Sequence, residues 1–185
     1  MPFEVILGII LAGCLSSNYA MVHFLGTGAV IENERSVKRS LIIGAGTIIT
    51  MVVATLITWP INKYLLTNAP YLKTMVFTVV IMAVVCVIHL FAKKNLEGYC
   101  KVDFLKFAIN GAVLGVCLHN VELASYFEAI LTAFATGLGV TFAMILFSTL
   151  HDRIDESSVP ASFRGLPISL LTAGLIALTF CCLAF

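Results

Sequence analysis

Residues 40–62 read SLIIGAGTIITMVVATLITWPIN, 23 residues without a charge between Arg39 and Lys63. A second stretch matches it. Residues 129–151, AILTAFATGLGVTFAMILFSTLH, are again 23 uncharged residues, between Glu128 and Asp152. A bilayer core about 30 Å thick takes about 20 apolar residues of helix. Each stretch therefore predicts one membrane-spanning helix. Outward from these two, the other uncharged runs are 5–31, 74–92, 107–121 and 165–185. The run 107–121 is short, and Phe104 and Leu105 extend it past Lys106. The predicted fold is an all-α membrane protein of six transmembrane helices, with residues 1–185 forming a single membrane domain.

Composition agrees. The chain has 185 residues, of which 60% are hydrophobic and only 11% charged, against about 25% charged in an ordinary soluble domain. Mean hydropathy is +1.04. Disorder, a coiled coil and nucleic-acid binding are excluded; a net charge of +1 gives no basic field for a phosphate backbone. The expected surroundings are the lipid bilayer. The segment Ile10-Leu11-Ala12-Gly13-Cys14 has the look of a lipoprotein box. The one early charge is Glu4, however, where a signal peptide wants a positive start, and the apolar run continues to Ile31.

Lysine and arginine set the orientation, because they are retained on the cytoplasmic side. Arg35, Lys38 and Arg39 lie in 32–39; Lys93, Lys94, Lys101 and Lys106 in 93–106; Arg153 and Arg164 in 152–164. These nine stand against Lys63 and Lys73 on the other side, which also holds Glu122 and Glu128. The odd-numbered loops are predicted cytoplasmic, with both termini outside, in the inner (plasma) membrane.

The halves echo each other. Asn18-Tyr19-Ala20-Met21-Val22 corresponds to Asn110-Gly111-Ala112-Val113-Leu114, Gly44-Ala45-Gly46 to Gly137-Leu138-Gly139, and Tyr71-Leu72-Lys73 to Ser162-Phe163-Arg164. The offsets are 92, 93 and 91 residues. Repeat one covers about 1–95 and repeat two about 96–185. Three helices per half place the two repeats in opposite orientation, related by a pseudo-two-fold axis in the membrane plane. Helices 1 and 4 are expected to be broken near the midplane. Ser16-Ser17-Asn18 and Gly26-Thr27-Gly28 interrupt the first; Asn110-Gly111 and Gly115 interrupt the fourth. Glycine is unfavourable in a helix interior, and an asparagine in hydrocarbon needs a hydrogen-bond partner. Asn18 and Asn110 are thus the candidate site residues at the breaks. Gly44, Gly46, Gly137 and Gly139 have no polar companions and are read as packing residues.

Other chemistry is sparse. Cys14, Cys86, Cys117, Cys181 and Cys182 lie in apolar runs and read as small hydrophobes; Cys100 lies in a lysine-rich loop. His23 and His119 read as hydrogen-bonded or interfacial residues. His89 and His151 fall at helix ends, where a positive partial charge suits the dipole. No acidic residue lies deep in a run. No Walker loop, HExxH or GxSxG is present, and no catalytic residue or metal ligand is assigned.

The stretch Val159-Pro160-Ala161-Ser162-Phe163-Arg164-Gly165-Leu166-Pro167-Ile168, continuing through Leu171-Thr172-Ala173-Gly174-Leu175, resembles the last helix of RnfA-like membrane subunits of Rnf electron-transport complexes. NqrD and NqrE of the sodium-pumping quinone reductase belong to the same family. Asn18 through Gly26, Tyr71-Leu72-Lys73-Thr74 and Gly111-Ala112-Val113-Leu114-Gly115-Val116 fit it in the same order. The resemblance implies a six-helix inverted repeat. It also implies pairing with an RnfE-like paralogue among other Rnf-type membrane subunits, and a 2Fe–2S cluster between the two, each chain giving two cysteines. Electron transfer through the cluster is coupled to ion translocation. At both family ligand positions this chain has glycine. Phe24-Leu25-Gly26-Thr27 is followed by Gly28, and Asn110 by Gly111, so no cofactor of its own is expected. Two other function classes compete: a small-solute or ion transporter, or one of its subunits, on the same scaffold, and an assembly protein without transport.

Overall fold

The uncharged stretches 40–62 and 129–151 form the longest helices of the structure, a computed structural model that describes residues 3–16, 18, 22, 25, 37–66, 70–95, 111–123, 125–154 and 159–181. Six α-helices lie in these residues. They are α1 (Phe3–Leu11), α2 (Val37–Tyr64), α3 (Lys73–Asn95), α4 (Gly111–Asn120), α5 (Tyr126–Asp152) and α6 (Leu166–Cys181). A five-residue π-helical turn, Ala12–Ser16, continues α1. Short 3-10 turns, Pro70–Leu72 and Ala161–Phe163, precede α3 and α6.

Within α2 and α5, Ser40–Tyr64 and Tyr126–Asp152 are long and apolar enough to cross a membrane. Five of their threonines do not disturb this, because the hydroxyl donates to a carbonyl one turn back. Thr47 bonds Ile43, Thr50 bonds Gly46, Thr58 bonds Ala54, Thr136 bonds Thr132 and Thr141 bonds Gly137, at 2.7–2.9 Å. Hydroxyls satisfied inside their own helix need no water, which suits an apolar medium.

Helices α2 and α5 pack antiparallel, and glycines set their contact. A Cβ on Gly44 would stand 2.7 Å from Oγ1 and 2.9 Å from Cβ of Thr141, and one on Gly137 would stand 3.1 Å from Cα of Ile48. Lipid tails are as apolar as leucine, so helices in a membrane gain by close van der Waals approach, for which small residues make room. Met51, Phe77, Val85, Val113, Val116, Val140, Met144 and Phe147, from α2, α3, α4 and α5, form the buried core, with Ile176 and Phe180 of α6 at its edge. The outer surface is apolar: Met75, Val79, Leu90 and Leu178 are 66–71% exposed.

One carbonyl in α2 has a special partner. Pro60 lies inside the helix and has no N–H to give Leu56 O. The Tyr126 hydroxyl at the start of α5 donates to that oxygen at 3.2 Å. Tyr126 also packs on Trp59, with ring centroids 5.0 Å apart, and the Lys63 ammonium lies 4.7 Å from the Trp59 ring centroid.

Candidate functional site

The first candidate position is where the first helix stops. Its regular part ends at Leu11, the π-helical turn ends at Ser16, and Asn18 lies outside the helix. A π turn shifts the hydrogen-bond register and leaves backbone groups for other partners. Asn18 is fully buried. Its amide Nδ2 donates to Cys14 O at 3.1 Å and to Gly139 O at 2.8 Å, while its own carbonyl accepts from Val22 N at 2.8 Å. Gly139 is the middle residue of α5. A Cβ there would run into the Gly13 carbonyl oxygen and come within 3.1 Å of Nδ2 of Asn18. Gly13 is equally tight, with a Cβ 2.9 Å from that of Ala135. Gly139, read from the sequence as packing, therefore does two things: it lets the broken helix end approach, and it accepts the asparagine amide.

The second position is Gly111, the exposed first residue of α4. The far end of α4 meets the C-terminal part of α2. Cys117 and Asn120 are fully buried, the Cys117 thiol shares hydrogen bonds with Thr58 and Thr55, and Asn120 Nδ2 donates to Thr55 Oγ1 at 3.3 Å. Beyond α4, Leu123 O accepts from Trp59 Nε1 at 3.4 Å. Gly111 thus lies two to three turns back from that end, at the level of the middle of α2. Asn110, Gly28 and His23 lie outside the described residues.

This polar knot was not read from the sequence. Asn120 beside a helix end and the threonine pair at an i, i+3 spacing were the available signals, and Pro60 marked the orphan carbonyl that Tyr126 meets. Of the histidines, His119 is exposed in the last turn of α4, and His151 stacks on Phe147 in the last turn of α5 with centroids 5.6 Å apart.

The residues present do not suit the iron–sulfur cluster that the resemblance implies. Cluster iron is held by thiolates, usually four, and Gly111 has no side chain. The nearest thiol in sequence, Cys117, is occupied with Thr55 and Thr58. Cys14 lies elsewhere, its Cα 3.2 Å from where a Gly139 Cβ would stand. Gly137 packs on Ile48, so Gly139, two residues on in the antiparallel helix, lies level with residue 46, and Thr55 is nine residues further along α2; the two thiols are separated by roughly 13 Å along the bundle. Among the described residues no three His, Cys, Asp or Glu side chains gather as a metal site.

Helices with apolar outer faces, threonine hydroxyls bonded within their own turns and buried asparagines are built for lipid, and this is an integral membrane protein. Comparison with known proteins gives its family. The profile described as "Rnf-Nqr subunit, membrane protein" matches residues 6–185, and the chain belongs to the Rnf-Nqr family. It is 35% identical over 178 residues to a protein of Azoarcus sp. (strain BH72) named as the A subunit of the ion-translocating oxidoreductase complex, covering 93% of this chain and 92% of that one. Proteins of the same name from Syntrophotalea carbinolica and Sodalis glossinidius are 33% and 34% identical. They cover 93% and 90% of this chain and 92% and 89% of their own lengths.

Proposed function

We propose that the chain is a membrane subunit, of the A type, in an ion-translocating oxidoreductase complex of the Rnf kind, supporting transmembrane electron transfer coupled to ion movement. The observation that carries this is the match along nearly the whole chain to relatives of that name. Its partners are the other membrane subunits, first among them an RnfE-like paralogue. It spans the inner membrane six times with both termini outside; the nine-to-two distribution of Lys and Arg supports the orientation.

An inverted repeat is supported by the contact pattern. Shifting Gly44 by 93 residues gives Gly137, and shifting Thr141 back by 93 gives Ile48. The Gly44–Thr141 contact and the Gly137–Ile48 contact are therefore interchanged by the offset between the halves, as a pseudo-two-fold axis between α2 and α5 demands. The 3-10 turns Pro70–Leu72 and Ala161–Phe163 are 91 residues apart, the third sequence offset. The chain gives no thiolate to a cluster at Gly28 and Gly111. Its contribution is the scaffold, with the redox groups carried by other subunits.

The test is to tag the chain in its host, purify it from gently solubilised membranes and identify what accompanies it. The reading predicts flavin- and iron–sulfur-bearing subunits together with a second membrane subunit of the same family. Purification as a single chain whose deletion abolishes uptake of a solute would refute it in favour of the transporter reading.

A further inference from the structure

Asn18 is bonded in three directions, and this makes it more than a buried polar residue satisfied where it stands. Its side chain reaches back to Cys14 O, across to Gly139 O, and its carbonyl accepts from Val22 N ahead. The first bond takes up a carbonyl at the π-helical turn. The second fixes the end of the first helix to the midpoint of α5. The third holds the backbone of Val22, four residues ahead. The acceptor side is shaped to match. Gly139 cannot carry a Cβ without striking Gly13 O and crowding the Asn18 amide, and Gly13 cannot carry one without striking Ala135. A glycine on each helix thus brings two backbones close enough for one amide to bond both.

We infer that Asn18 and Gly139 form the positioning pair of the subunit: the amide-to-carbonyl joint that fixes the end of the first helix against the middle of α5. The inference rests on the electron-transport reading, since it makes the joint a determinant of turnover in the assembled complex. Only the N–H donors of Asn18 perform the role. Aspartate has nearly the same shape, but its carboxylate faces two carbonyl oxygens and donates to neither. Serine keeps one O–H donor on a shorter stem.

The experiment uses the purified complex in liposomes, with NADH outside and ferricyanide trapped in the lumen. It compares the wild type, a strain deleted for this chain, Asn18→Asp and Asn18→Ser. Transmembrane reduction of ferricyanide in Asn18→Asp is expected to fall roughly ten-fold or more, as small misplacements in a reaction centre do, while the amount and subunit composition of the complex stay near wild type. Asn18→Ser is expected to lie between the two. Wild-type turnover in Asn18→Asp would overturn the inference. So would loss of assembled complex in proportion to loss of turnover in both variants, which would make Asn18 a folding residue only. A deletion strain with undiminished turnover would instead refute the functional reading on which the inference stands.

Discussion

Thr141 and Gly44 show how little room the central helix pair leaves. A methyl group on Gly44 would meet Oγ1 of Thr141 at 2.7 Å, and Thr141 is held in place by its own bond to Gly137 O at 2.8 Å. Gly44→Ala is expected to destabilise the protein by about 1–3 kcal/mol, the usual cost of overpacking. Thr141→Ala removes both the hydroxyl and the methyl group and should return part of that loss. Thermal unfolding of the two single variants and the double variant in detergent measures it; purely additive losses would show that the glycine is not there for Thr141. That these glycines serve close packing was legible in the sequence, because nothing polar accompanies them. That Gly139 also accepts from Asn18 was not, since the bond joins residues 121 positions apart and a carbonyl acceptor has no sequence signature.

At the scale of elements, the two long helices were plain from charge spacing alone, although they run one to three residues beyond the uncharged stretches at their ends. Lys38, Arg39 and Lys63 lie inside α2; a charge near the end of a membrane helix does not end it. What the sequence did not show is how α2 carries Pro60. The proline leaves Leu56 O without a helical donor, and Tyr126 supplies one from another helix. Tyr126→Phe is expected to cost about 1 kcal/mol, the net value of a typical hydrogen bond. In a Pro60→Ala background the backbone N–H of residue 60 serves Leu56 O, and the same change should cost nearly nothing. A double-mutant cycle by unfolding in detergent gives the coupling; an equal cost in both backgrounds would contradict this role for the tyrosine.

The described residues are organised about the α2–α5 contact, and the proposed orientation rests on where the positive charges fall. With the native cysteines accounted for, a single cysteine replacing Lys38 or Lys101 should react with an impermeant maleimide only from the cytoplasmic side, and one replacing Tyr71 only from outside. Labelling of the first two from outside would overturn the topology. The family was legible because its motifs run in order along the chain; the Gly44–Thr141 and Gly137–Ile48 contacts were not, since charge spacing marks the two helices but not which residues of them touch. The central claim is that this chain keeps the Rnf-Nqr scaffold while glycines stand at both cluster positions. The measurement that tests it most directly is iron and sulfide analysis with electron paramagnetic resonance. It is made on the anaerobically purified complex of this chain with its paralogue, for the wild type and for Gly28→Cys/Gly111→Cys. The account predicts no cluster between the two membrane subunits of the wild type, and about two iron atoms per pair of chains in the double variant once four thiolates are present. A stoichiometric cluster at that interface of the wild-type complex, surviving in Cys14→Ser and Cys117→Ser, would contradict it.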